Sequence, residues 1–190
     1  MPDMRAKHPE LFARNPGTTN ANPKGISFGA LVREDFATHN RQWFNQGFWA
    51  LFWHRFGNWR MGQPKLLRVL LTPLYRAMFK TTEWVCGVHL PYTVRVGRRV
   101  RLEHFGGMIL VAQRIGDDVV IRQNTTFGIA STDDLESRPV IGNRVDIGAG
   151  AVLIGPVHVG DGARIGANAV VVRDVAAGST VGGVPARPLH

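Results

Sequence analysis

The chain has 190 residues, 44% of them apolar and 19% charged, and its 23 Lys and Arg against 14 Asp and Glu give a formal net charge of +9. That size and composition suit one substantial soluble domain, or one domain with a helical appendage, and exclude a wholly disordered chain. The single cysteine, Cys86, excludes an internal disulfide and a Cys-rich metal site; with no apolar signal core at the start and no run of about 18 apolar residues, a cytoplasmic location is expected.

Residues 1–26, with Asn15-Pro16-Gly17 and Asn22-Pro23-Lys24-Gly25, are polar and rich in turn formers, and they read as a flexible leader. From 27 to 88 the period is helical. Phe48, Phe52, Phe56 and Trp59 form one stripe, widened by Trp49 and Trp53, with His54, Arg55, Asn58 and Arg60 opposite. The stripe is expected to pack against the next domain or a neighbouring subunit. A third segment, PKLLRVLLTPLYRAMFK, repeats the apolar stripe and basic face, and Pro73 is expected to bend or divide it. For this segment two accounts stay open, packing and contact with a membrane interface.

The charge is concentrated here. Ten Lys or Arg lie between Arg55 and Arg101, against the one acid Glu83. An anionic partner is implied: nucleic acid, an acidic membrane surface or a phosphate-bearing cofactor. No familiar nucleic-acid module accompanies the patch, so nucleic acid is not expected, and a merely solvated basic face is the plain alternative.

From 89 to 182 the period is six. Ile141, Ile147, Leu153, Val159, Ile165 and Val171 stand six apart, and four residues after each comes Val145, Ala151, Val157, Ala163, Ala169 or Val175. Large and small inward residues thus alternate, the signature of a parallel β-helix whose stacked coils bury one continuous core. The same phase is read through Ile109, Ile115, Ile121 and Phe127. Two breaks interrupt it. Leu102 to Ile109 is seven, placing one extra residue in the coil that carries His104, and Phe127 to Ile141 is fourteen, so residues 128–139 must leave the helix as a loop. Such breaks mark where a repeat scaffold carries a site, the alternative being a harmless insertion.

The order of helical hairpin, VRVGRRVRLEHFGG, IGDDVVIRQNTTFG, interrupting loop, VIGNRVDIGAGAVLIG, VGDGARIGANAVVVRDV and GGVPAR resembles the serine acetyltransferase branch of the hexapeptide-repeat acyltransferases, over roughly residues 33–188. LEH with Gly106-Gly107 and the terminal GVPAR are its specific parts. The resemblance implies a mainly β protein, a left-handed parallel β-helix preceded by a short α-helical region and closed by a cofactor-binding tail at 183–190. It also implies a homotrimer that moves an acetyl group from acetyl-CoA to a hydroxyl, with no metal.

An alcohol is a poor nucleophile at neutral pH, so that chemistry needs a base near it, and imidazole has the matching pKa. The resemblance gives this role to His104, with Glu103 at the place of a carboxylate that helps hold the acceptor. The supporting aspartate found about fifteen residues earlier in that branch is His89 here. Either Glu103 or another carboxylate orients His104, or His89 belongs to a modified relay. For acetyl-CoA the resemblance points to the turns at Ala149, Gly150 and Ala167 and to Gly183, Pro185 and Arg187 of the tail, with Arg173 and Arg187 as phosphate contacts on charge.

For the acceptor, the Arg-His pair that precedes the re-entry proline in serine acetyltransferases is Ser137-Arg138 here, and the helical region is shorter. Arg138, His89 and Asp35 are therefore the candidates for gripping it. These departures bring the chain closer to short exopolysaccharide and colanic-acid O-acetyltransferases, whose acceptor is a sugar hydroxyl on a saccharide or its lipid-linked precursor, which would put the basic helices at the inner membrane face. Serine is the alternative acceptor. Two remoter readings are a γ-carbonic-anhydrase-like metal enzyme using His89, His104 and His158, and a non-catalytic trimeric scaffold.

Overall fold

The computed structural model describes residues 9–134 and 136–189; residues 1–8 of the expected leader, Leu135 of the expected loop and His190 of the tail lie outside the described residues. Among the described residues a 3-10 turn, Pro9–Leu11, is followed by three α-helices, α1 (Phe28–Thr38), α2 (Gln46–Met61) and α3 (Lys65–Thr81), and a π-helical turn, Thr82–Cys86, carries the chain into the strands. Fifteen short strands follow, from β1 (Val88–His89) to β15 (Arg187–Pro188). They stack as three parallel sheets, β1-β4-β7-β10-β13, β2-β5-β8-β11 and β3-β6-β9-β12-β14, with β15 added antiparallel to β14. This is the left-handed parallel β-helix of about five coils.

The six-residue phase explains the interior. Ile141, Ile147, Leu153, Val159, Ile165 and Val171 are all buried, as are the small residues four places on. Phase and structure part at one place. Ile109 (Met108–Leu110, β4) faces outward at 47% exposure, while its neighbours Met108 and Leu110 point inward. The physical reason lies one corner earlier. A left-handed residue recurs where the third sheet turns into the first, at Gly107, Asn124, Gly150 and Asn168. It stands three residues after Ile121, Ile147 and Ile165, but five after Leu102. The first coil therefore holds two extra residues there, not one, and the strand that follows is shifted.

The helices depart in part from the expected orientation of the aromatic stripe, of which Phe48 is buried and the rest half-buried. On α2 polar residues are buried beside apolar ones: His54, Arg55 and Asn58 have 2%, 0% and 0% exposure, as deep as Phe48 and Leu51, whereas Phe52, Phe56 and Trp59 are only half-buried. The cause is the open end of the β-helix. The first coil has no coil before it, so its backbone groups need other partners. Arg55 donates to the carbonyls of Val96 (2.7 Å) and Gly97 (2.6 Å), His54 Nε2 to Val94 (2.9 Å) and Asn58 to Tyr92 (2.9 Å). The Leu102 N–H donates to His39 Nε2 at 3.2 Å. Gly47 permits this approach, because a Cβ there would lie 2.3 Å from the Leu102 carbonyl.

The stripe packs on aromatic neighbours in the helical layer, half-buried Phe52 and Trp59 against Phe28, and buried Phe48 against Phe36. Pro73 does not divide α3, which runs unbroken from Lys65 to Thr81. The carbonyl its missing N–H would have served, that of Val69, lies on a solvent-exposed turn.

Residues 9–26, expected to be flexible, are laid against the body. Phe12 and Asn15 are buried, Tyr92 donates to the Gly17 carbonyl, and Asn22 donates to that of Arg55. Between β7 (Thr126–Gly128) and β8 (Val140–Ile141) the described residues form no strand, and Gly128, expected to open the excursion, stays paired with Ile154 in the first sheet.

Candidate active site

His104 sits in the two-residue insertion, with left-handed backbone (φ 54°), followed by Phe105 at 55% exposure and by Gly106 and Gly107 at φ 109° and 64°. Its ring is exposed and has no hydrogen-bond or ion-pair partner among the described residues. The regular wall of the β-helix has no place for the inserted side chains, so they project at the corner.

Glu103 does not orient His104. It lies on β3 (Arg101–Glu103), in register with Arg122 of β6 (Val120–Arg122), and its carboxylate is shared between Arg101 (2.8 Å) and Arg122 (3.4 Å). Arg122 also bonds Asp146 on the next coil. The outer face beside the corner is thus a ladder of alternating charge. Arg122 was not singled out from sequence; its signal is its register, one coil beyond Glu103.

His89 is on β1, beside Ile109 of the next coil. Its Nδ1 lies 2.6 Å from Glu83 Oε1, and Lys80 holds the other carboxylate oxygen at 2.6 Å. Burial alone would raise the Glu83 carboxyl, but these two hydrogen bonds outweigh it and hold the carboxyl below its usual range. The one acid in the basic stretch is therefore the partner of the histidine that stands where an aspartate was expected. The strand start is close to the His104 corner: a Cβ on Gly87 would lie 2.9 Å from Gly106 Cα.

Asp35 is not available to an acceptor. It is fully buried against Arg55 (Nε to Oδ2, 2.9 Å), with both side chains at 0% exposure. Burial pushes its carboxyl up, against the pull of Arg55. Arg138 lies in the excursion between the first and second sheets, so a single chain sets it at a different corner from His104.

Of the residues expected to take the cofactor, Ala149, Ala167 and Gly183 form one row. Ala149 and Ala167 lie on consecutive coils, joined by the Asn168 N–H to the Ala149 carbonyl (2.8 Å), and Gly183 follows one coil on. Gly148 is explained by stacking, since a Cβ there would lie 2.5 Å from Ala167 N. Ala167, Gly183, Pro185 and Arg187 are exposed, and Ala149 and Gly150 half-buried. The tail turns back, with Arg187 on β15 opposite Gly182, and Arg187 and Arg173 line one cavity of about 240 Å³ at the C-terminal end. Among the described residues, no three His, Cys, Asp or Glu stand together as a metal site.

Residues 138–173 match the family described as bacterial transferase hexapeptide (six repeats). The chain is 36% identical over 115 residues to a serine acetyltransferase of Helicobacter pylori, covering 60% of this chain and 67% of that one. The chain belongs to the hexapeptide-repeat acyltransferase family. It is also 36% identical over 140 residues to a serine acetyltransferase of Mycobacterium tuberculosis, covering 73% of this chain and 58% of that relative's length. The chain thus spans a little over half of that protein. The crystal structure of a Vibrio cholerae serine acetyltransferase superposes with a TM-score of 0.72 at 29% identity, over 85% of this chain and 65% of that one. The finer resemblance to exopolysaccharide O-acetyltransferases has no counterpart in these matches.

Proposed function

We propose that this family member transfers the acetyl group of acetyl-CoA to a hydroxyl, with L-serine as the acceptor. The observation that carries the reading is the exposed, unpartnered His104 in the corner insertion, beside the Glu103–Arg122–Asp146 ladder. The names of the similar proteins favour serine.

In this reading the row from Ala149 through Ala167 to Gly183 receives the pantetheine arm, its small side chains leaving the corner open, and Arg173 and Arg187 face the phosphates. His104 accepts the proton of the acceptor hydroxyl as that oxygen attacks the thioester carbonyl. The C–S bond then breaks, the ester forms, and the proton passes to the departing thiolate to give free CoA thiol. Glu103, with its charge offset by Arg101 and Arg122, stands where an amino group of the acceptor would be held. A homotrimer belongs to the proposal, since it would set the excursion of one copy, with Arg138, against the His104 corner of another.

A second reading, a sugar hydroxyl as acceptor, is supported by Asp35, whose carboxylate is committed to Arg55 and leaves one fewer group for an amino acid. Thiol release from acetyl-CoA, measured with L-serine and with mono- and oligosaccharide acceptors, separates the two. Turnover with serine and not with sugars is the expected result, and turnover with sugars alone would replace serine by the second reading.

A further inference from the structure

A cleft of about 530 Å³ opens between α2 and α3, on the helical layer and away from the His104 corner. Its walls include Arg60, Arg68 and Arg76, with Thr72, Tyr75 and Tyr92, and no carboxylate lines it. Arg60 is only 5% exposed. Its guanidinium lies over the rings of Tyr75 (4.5 Å) and Tyr92 (5.0 Å) and donates through Nη1 to Thr72 Oγ1 at 2.6 Å, while its buried Nε has no hydrogen-bond partner. Arg68 and Arg76 make no ion pair among the described residues. Three guanidinium groups share one concavity without a counter-charge, and one of them keeps an unspent buried donor. That arrangement suits a phosphate oxyanion, which accepts from several N–H donors at once.

The rim carries a second observation. Val69, which lines the cleft, is 58% exposed, and the same helix exposes Leu66, Leu70 and Leu74 at 75%, 67% and 45%. Its charged side chains, Lys65, Arg68, Arg76 and Lys80, are all basic. An exposed leucine row flanked by cations lies with its apolar side in the acyl boundary and its cations among anionic headgroups.

We infer that α3 rests on an anionic lipid surface and that the cleft takes the phosphate of a lipid headgroup. The inference is independent of the acceptor and of His104.

It is tested with the full chain on vesicles of phosphatidylcholine with and without phosphatidic acid, and with inorganic phosphate as the soluble arm. Co-sedimentation should require phosphatidic acid. An Arg68→Gln/Arg76→Gln double variant should lose about thirtyfold in partitioning, the effect of two cations at the surface, with its melting temperature unchanged. A Leu66→Ser/Leu70→Ser variant should also lose vesicle binding while keeping its fold. No co-sedimentation, equal binding by the arginine variant, or protection by inorganic phosphate without vesicle binding would each overturn the inference. Loss of self-association in the leucine variant, with vesicle binding intact, would assign the ridge to a second copy and overturn it as well.

Discussion

His39 and His54 are histidines that burial holds neutral, against hydrogen bonds that pull the other way. His54 donates through Nε2 to the Val94 carbonyl, and burial, helped by the neighbouring Arg55, pushes its pKa down to about 3. His39 uses both nitrogens, donating through Nδ1 to the Asp35 carbonyl and accepting the Leu102 N–H at Nε2, and burial lowers it too. In the unfolded chain both take a proton near pH 6.5. Their folded values lie lower, so below that pH the unfolded state binds more protons and stability falls. Urea denaturation should show a loss of about 1–2 kcal/mol between pH 7 and pH 5.5. Asp35 shifts the opposite way, burial raising its carboxyl. Stability that stays flat across that interval would mean that the two rings are solvated.

The helical layer shows why polarity patterns can mislead about an element's inner face. The aromatic stripe of α2 was legible, but the burial of His54, Arg55 and Asn58 was not, because a sequence pattern assumes an apolar partner and their partner is an open ladder edge. Asp35 and Arg55 were legible only as charges. Their pairing needs α1 to cross α2 over the Val96–Gly97 turn, which no local spacing encodes. The pair works as a clamp between the helices and the first coil, so Asp35→Ala, which leaves a buried guanidinium without its counter-charge, should cost about 3–5 kcal/mol of unfolding free energy. A loss under about 1 kcal/mol would show that the carbonyls alone satisfy Arg55.

For the whole molecule, the six-residue count carried most of the fold because each coil repeats the same inward positions, and any departure is visible as a changed spacing. The departure at His104 was visible, but its size was misjudged. Ile109 keeps an apolar identity while facing outward, and only the stacked left-handed corners at Gly107, Asn124, Gly150 and Asn168 show that two residues were inserted. The alignment of Ala149 with Ala167 followed from the same count, whereas Gly183 closes a shortened last coil in which Val181 pairs with Ile165, and the Glu83–His89 pair joins the helical layer to the first coil and lies outside any repeat. The central claim is that His104 deprotonates the acceptor. Asparagine is the substitution of choice, since it tolerates the left-handed backbone at this position where alanine would add strain. In a thiol-release assay with acetyl-CoA and L-serine, His104→Asn should lose about a hundredfold or more in kcat with unchanged melting temperature; turnover within about threefold of the parent chain would contradict the account.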